Sequence, residues 1–292
     1  MVCTSCPRKC GVDRFKSIGV CGVGIEPKVA KAYLHKWEEP VISGVNGSGT
    51  VFFSGCNLKC VYCQNYLISH NGNGKYITIE RLSEIFKELE MQGATNINLV
   101  SPSHYVDAII KALDIYRPNI PIVYNTSGYD SMENLEKLKD YVDIFLVDFK
   151  YFSEDLAQKY SNAKNYPEVA KSAIVKMREL QPKEIIENDV MKKGVIIRHL
   201  VLPNATDDSI EILKWIKNNI KDPFVSLMGQ FTPMHECEKY TEINRKIKPI
   251  EYKRVENYML TLGITNGYTQ ELVSADSCYV PNFDMEGVEK KS

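Results

Sequence analysis

Three cysteines, Cys56, Cys60 and Cys63, stand in Phe52-Phe-Ser-Gly-Cys56-Asn-Leu-Lys-Cys60-Val-Tyr-Cys63-Gln-Asn65, directly after a short β-branched and aromatic run and a glycine. Thiolates at Cys-x3-Cys-x2-Cys spacing on a tight loop can hold three corners of a cubane iron–sulfur cluster. A four-iron cluster takes four ligands, so three cysteines leave one iron with an open position that a chelating substrate can fill. The competing account is a structural zinc or cluster site with a remote fourth ligand, or a fortuitous grouping. Placement at the end of a strand favours the open site. Four further cysteines, Cys3, Cys6, Cys10 and Cys21, have the count for a closed tetrahedral site. Zinc held by four thiolates is one reading, a second iron–sulfur cluster another, and four reduced thiols without metal a third. Some metal is favoured, because so short a segment has little core of its own and needs a staple. Arg8, Lys9 and Arg14 would offset thiolate charge. Cys237, in Met234-His-Glu-Cys-Glu238, and Cys278, in Ala275-Asp-Ser-Cys-Tyr-Val-Pro281, are isolated. Each is read as a late hydrogen-atom donor, an extra ligand or a packed thiol, and isolation favours the last.

The chain that carries these groups has 292 residues, with 36 Lys+Arg against 37 Asp+Glu. That balance removes the electrostatic case for nucleic acid as a partner. Hydrophobic residues at 44% and charged residues at 25% are ordinary for a folded globular chain. No apolar run approaches the roughly 20 residues that span a bilayer, so no membrane partner is expected. The first residues lack the apolar stretch of a secretory signal. The expectation is a soluble, cytoplasmic protein whose thiols are reduced. Nine cysteines there point to metal or catalysis rather than disulfides.

Positioning comes from a regular alternation. Strands are expected over residues 50–54, 96–100, 121–125, 142–149, 194–202 and 224–228. Helices are expected over 78–92, 103–116, 131–138, 153–160, 167–180, 207–220 and 251–262. Thr78 caps the first of these helices and Gly93 ends it. Six strand–helix units in sequence give an α/β fold with parallel pairing, either a doubly wound sheet or a partial barrel. The expected layout is a Cys-rich, irregular extension over 1–49, the α/β unit over 50–265 and a C-terminal tail over 266–292. Residues 162–168 and 182–193 read as surface loops and residues 286–292 as a loose tail. Chemistry belongs at the C-terminal strand ends. Five of these are polar: Ser101-Pro-Ser-His104, Asn125-Thr-Ser-Gly128, Asp148-Phe-Lys150, Arg198 with His199, and Met228-Gly-Gln230. Together they suggest a ligand pocket around one rim.

At Cys56, Cys60, Tyr62 and Cys63 the chain resembles the radical S-adenosylmethionine superfamily, whose hallmark is Cys-x3-Cys-x-aromatic-Cys. Across residues 30–265 it looks most like proteins related to pyruvate formate-lyase-activating enzyme. The resemblance implies a partial (β/α)6 barrel. It implies that Cys56, Cys60 and Cys63 ligate a [4Fe-4S] cluster whose unique iron takes the amino and carboxylate groups of S-adenosylmethionine. Tyr62 would lie near the adenine, with Leu227 and Met228 packed beside it. The chain has Val100-Ser-Pro-Ser103 where activating enzymes carry a Gly-Gly-Glu-like segment, so Ser101 and Ser103 are candidates for the methionyl amino group. Asp148-Phe-Lys150 resembles the family's Asp-Leu-Lys, making Lys150 a partner for the carboxylate. Arg198 and His199 match polar positions on the fifth strand. One-electron cleavage would yield methionine and a 5′-deoxyadenosyl radical that takes a hydrogen atom from a substrate at the same rim. Partners implied are a flavodoxin- or ferredoxin-type electron donor and a glycyl radical enzyme. A small molecule or another protein residue is the alternative target. A non-catalytic, zinc-stabilised binding module is the reading from another class.

Weaker features are Tyr105, Tyr124, Tyr129 and Phe231, each read as pocket lining or, by preference, as barrel packing. His35-Lys-Trp-Glu-Glu-Pro40 is read as a general base or substrate-recognition element or, by preference, a solvated turn before proline. His104 is read equally as a proton shuttle or a helix-start residue.

Overall fold

A computed structural model describes residues 2–270 and 281–290. Residues 2–27 carry only turns and bends. The ordered elements then begin with β1 (Lys28–His35), the short α1 (Pro40–Ser43), β2 (Ser48–Phe53), α2 (Tyr66–Ser69) and β3 (Lys75–Tyr76). The alternation follows as α3 (Ile79–Met91), β4 (Ile97–Val100), α4 (Val106–Ile115), β5 (Ile122–Thr126), α5 (Met132–Lys137) and β6 (Ile144–Asp148). The remainder is α6 (Glu154–Ser161), α7 (Tyr166–Leu180), β7 (Ile185–Glu187), β8 (Val190–Leu200), α8 (Thr206–Asn219), β9 (Phe224–Met228), α9 (Pro249–Thr261) and β10 (Gly267–Thr269).

The expected helices start where their caps place them. Thr78, Ser131 and Ser153 each accept a hydrogen bond from a backbone N–H in the first turn of α3, α5 and α6. The strand order, β10-β9-β8-β6-β5-β4-β2-β1-β3, decides between the two architectures. From β2 to β10 the neighbours are parallel and run in chain order without reversal. Right-handed crossovers in one direction put the crossover helices on one face, so the sheet curls and its other face becomes a lumen. The path has two ends, so the barrel is partial: an α/β fold with six strand–helix units behind a Cys-rich extension.

The pleat sorts side chains between the two faces. Leu99, Tyr124, Phe145, Val147, Ile197 and Leu227 point outward into the large core beneath the helices. Val123, Ile144, Leu146, Ile196 and Phe224 point inward, where Val41 and Ile42 of α1 plug the lower lumen.

Several segments differ from expectation. Residues 28–35 are not irregular: β1 pairs antiparallel with β2 along the sheet edge. Residues 182–193 are not a loop. Glu187 pairs with Val190, and Asn188 and Asp189 between them both take positive φ, 50° and 61°. That is a two-residue hairpin turn of the kind Asn and Asp tolerate. Residues 286–290 are not loose. Glu286 O accepts from Ala32 N at 2.8 Å and Val288 is fully buried. Lys31 pairs with Asp284 and Glu286, each at 3.0 Å, and Phe283 meets Phe52 edge-on at 5.5 Å. Charged residues dominate this end, and its two apolar anchors are too few to show periodicity. No helix among the described residues is long and apolar enough to cross a membrane.

The outward layer should carry much of the stability. Phe145→Ala, at a fully buried position on a central strand, is expected to lower the unfolding free energy by about 3–5 kcal/mol. Urea denaturation measures it, and a loss below about 1 kcal/mol would show that the helix layer does not depend on this contact.

Candidate active site

β2 delivers the chain to Gly55, whose φ is +83° and where a Cβ would stand 2.7 Å from the Cys21 carbonyl oxygen. Only glycine makes that turn at that approach. The loop that follows is tied down at Cys63 N to Cys60 O (3.1 Å) and at Val61 N to Tyr160 O (2.9 Å). Each of the three sulfurs has a hydrogen-bonding neighbour. Leu58 N–H donates to Cys56 Sγ at 3.3 Å, Ser161 Oγ to Cys60 Sγ at 3.0 Å, and Ser69 Oγ lies 3.2 Å from Cys63 Sγ. Burial pushes the Cys63 thiol up to about 12 and the Cys60 thiol in the same direction. Such sulfurs ionise only beside a strong positive charge, which suits metal ligands with donors already aimed at them.

All three cysteines open onto one cavity of about 690 Å³ at the upper end of the lumen. Tyr62, Ser101, Asp148, Lys150, Arg198 and Met228 line the same cavity. Ser101 holds its backbone at φ +59°, at the tip of β4, a conformation seldom taken by a residue with a side chain. The Tyr62 hydroxyl accepts from Tyr151 at 2.6 Å, and its ring packs edge-on against Phe231 at 5.7 Å.

Three of the expected residues, His199, Ser103 and Leu227, are not there. His199 points out of the barrel: one ring nitrogen lies 2.7 Å from Phe149 O and the other 2.8 Å from Ser209 Oγ on α8. Adjacent strand residues face opposite sides, so Arg198 and His199 cannot both enter the lumen. Ser103 lies past the strand end and is buried against Thr126 Oγ1 at 3.3 Å. Leu227 alternates outward for the same reason as His199. Tyr105, Tyr124, Tyr129 and Phe231 pack in the core rather than along the cavity; Tyr124 and Tyr129 donate to Asp130 and Asn165. His104 is buried and bonded to Ser54 O at 3.0 Å, away from the cavity. Cys237 is buried in the core. Cys278 lies outside the described residues.

The expected solvated turn is not one: Glu39 is buried and Glu38 nearly so, because α1 tucks into the barrel and carries them with it. Glu38 accepts from Asn98 Nδ2 (3.0 Å) and Asn125 Nδ2 (3.2 Å) and lies 3.2 Å from Arg198 Nη1. Arg198 also donates to Asp148 Oδ1 at 2.8 Å and Asn125 Oδ1 at 2.6 Å. Lys150 Nζ meets Asp148 Oδ2 at 2.6 Å. Burial pushes the Asp148 carboxyl up, but Arg198 and Lys150 more than offset it and hold it below its ordinary range. Burial pushes Glu38 up, and Arg198 offsets only part of that. Burial works against the Lys150 ammonium, yet Asp148 and the Cys60 sulfur keep it above its usual value. Gln270 Oε1, on the cavity wall, is buried without a hydrogen-bond partner among the described residues. A polar ligand would relieve that orphaned acceptor. The signal for Glu38 was a proline at the first position of α1, directly after two acids.

A second depression, about 770 Å³ and open to solvent, lies between α6, α8 and α9 and carries none of these groups.

A family model described as the radical SAM superfamily matches residues 50–216, which span the cysteine loop and five of the six strand–helix units up to the last turn of α8. The chain belongs to the radical SAM superfamily. Relatives agree. Uncharacterized protein MJ0674 of Methanocaldococcus jannaschii is 32% identical over 281 residues, covering 93% of this chain and 76% of the relative. Pyruvate formate-lyase-activating enzyme of Clostridium pasteurianum is 26% identical over 242 residues, covering 75% of this chain and 93% of the enzyme. Among solved structures, Streptococcus suis SuiB superposes with a TM-score of 0.54 at 15% identity over 78% of this chain; the chain spans 50% of SuiB's length. At that identity SuiB speaks to the fold alone. A radical SAM chain is an enzyme of radical chemistry whose family works with a [4Fe-4S] cluster and S-adenosylmethionine, and the buried three-sulfur loop fits that donor set.

The lumen network yields a thermodynamic test. Arg198→Met leaves Glu38 without a cation and Asp148 with Lys150 alone, and is expected to cost about 3–5 kcal/mol in urea denaturation. Adding Glu38→Gln should recover part of that loss. A double variant no more stable than Arg198→Met would show that Arg198 does not serve by pairing with Glu38.

Proposed function

We propose that Cys56, Cys60 and Cys63 hold the [4Fe-4S] cluster, and that S-adenosylmethionine occupies the adjoining cavity. The observation that carries this is the convergence of three hydrogen-bonded sulfurs, Tyr62, Ser101, Lys150, Arg198 and Met228 on one space. When bound, the reduced cluster and S-adenosylmethionine supply homolytic carbon–sulfur cleavage and hence a hydrogen-atom acceptor at the rim.

The chain's own residues bind, orient and exclude water. Lys150 offers an ammonium to the methionyl carboxylate, and Asp148 on its far side keeps it charged and aimed. Arg198 in turn fixes Asp148 through Nε. Ser101, with its left-handed backbone, turns the β4 tip toward the methionyl amino group. Met228 and Tyr62 provide an apolar wall for the adenine, and the Tyr151 hydrogen bond holds the Tyr62 ring in place. None of these residues needs to move a proton. Their work is positioning, which is the larger share of catalysis when the chemistry resides in a cofactor.

The target we propose is a backbone glycine of a partner enzyme; relatives named for activating pyruvate formate-lyase and a glycyl-radical enzyme support it. The electron donor would be a small flavodoxin- or ferredoxin-type protein. Two measurements test the reading. Cys60→Ala is expected to abolish 5′-deoxyadenosine formation by the anaerobically reconstituted, reduced protein, and retained turnover would overturn the ligand assignment. With glycine-deuterated glycyl radical enzymes as partners, deuterium is expected in the 5′-deoxyadenosine. Label from none of them, with turnover intact, would overturn the glycine target and leave the cleavage reading standing.

A further inference from the structure

The Cys-rich extension is bolted to the cysteine loop. The Arg8 guanidinium donates to the carbonyl oxygens of Asn57 (2.8 Å), Leu58 (3.3 Å), Ser161 (3.0 Å) and Asn162. Two of these belong to the turn between Cys56 and Cys60. The Cys56 N–H donates to the Cys21 carbonyl at 3.0 Å, so a cysteine of one group is joined through backbone to a cysteine of the other. Arg14 secures the far side, donating to His104 O at 2.6 Å and to Gly24 O, with its guanidinium over the Tyr105 ring at 5.6 Å.

Within the extension the four thiols gather. Cys3 is near Cys6, Cys10 and Cys21, and Cys21 is also near Cys6 and Cys10. The sulfurs of Cys21 and Cys10 flank the space over Gly19, at 3.2 and 3.5 Å from where a Cβ would sit. Cys6 and Cys21 are buried on the side of the cysteine loop, while Cys3 and Cys10 are partly exposed. The group thus has one edge against the cysteine loop and one edge partly open to solvent, a placement that serves an electron-carrying cluster and would be idle for redox-inert zinc.

We propose that Cys3, Cys6, Cys10 and Cys21 hold a second [4Fe-4S] cluster, whose buried edge lies against the Cys56–Cys63 loop and whose partly exposed edge receives electrons from the protein donor. The relay rests on the reading of Cys56, Cys60 and Cys63 given above; the site itself does not. One electron enters the outer cluster from a low-potential flavin or iron–sulfur protein and leaves it for the inner one. The outer cluster returns to its starting oxidation state, and no bond is made or broken there.

Metal content of the full chain tests the site. Iron, zinc and sulfide are measured on the anaerobically reconstituted protein, on a Cys56→Ala, Cys60→Ala, Cys63→Ala variant, and on a Cys3→Ala, Cys6→Ala variant, each with a thermal melt to verify folding. About eight irons are expected in the parent chain and about four in each variant. After reduction, the triple variant should show an electron-paramagnetic signal of a cubane. A triple variant that keeps zinc and no iron overturns the proposal, as does a parent chain whose irons all vanish with Cys56, Cys60 and Cys63. Iron that all persists in the triple variant would instead sink the first site and leave this one standing. Should the double variant not fold, the triple variant decides alone. For the relay, reduction of the inner cluster by a flavodoxin is expected to slow at least about tenfold in the double variant, while reduction by dithionite is unchanged. An unaltered flavodoxin rate overturns the relay.

Discussion

Three carboxylates, Glu38, Glu39 and Asp148, share the interior of the barrel with two cations, Arg198 and Lys150, and all five are buried or nearly so. Buried charges are costly unless they are paired and fully hydrogen-bonded. The guanidinium answers this for two of the three carboxylates with its fork, one nitrogen to Asp148, one to Glu38 and one to Asn125, while Glu39 keeps Oε2 buried without a hydrogen-bond partner among the described residues. Everything above the network inherits its geometry. Asp148 and Lys150 hold one wall of the cavity, and Asn125 holds the next. Without that pairing the lumen would fill with apolar side chains, as its lower half does around Val41 and Ile42. The cavity exists because the strand ends carry charges that must meet one another rather than pack.

The second constraint is mechanical. The cysteine loop has three cysteines within a few residues and no secondary structure of its own. Its shape is imposed from outside by Cys21, Arg8 and the C-terminal end of α6, which provides the Ser161 hydroxyl for Cys60 and the Tyr160 carbonyl for Val61. A loop held on several sides loses little entropy when it takes up ligands, which is how a metal site becomes preorganised.

Much of this was legible in the residues and some was not. The six parallel strands announced themselves because buried strands are short apolar runs between capped helices. The cysteine spacing is a local signal and carried directly to the cavity. The barrel and the doubly wound sheet differ only in strand order, which no local pattern encodes. His199 and Leu227 were placed at the site because strand-end position is readable while pleat phase needs an anchor. Asp148 provides one: once it faces Arg198, the outward facing of His199 follows. Glu38 was hidden for a different reason. Its burial depends on a four-residue helix entering a lumen that only the closed-up tertiary structure creates. β10 has only three residues, and β1, though eight residues long, interleaves Lys28 and Lys31 with its apolar residues, so neither shows a clean strand pattern.

Among the described residues, hydrogen bonding leaves the sheet with two free ends, β10 on one side and the β1–β3 pair on the other. Yet Gln270, just past β10, and Pro281, which leads into the segment fastened along β1, both border the cavity. Both rims of the gap therefore contribute to one cavity wall, so the distance between the two ends of the sheet sets how wide a molecule the mouth admits.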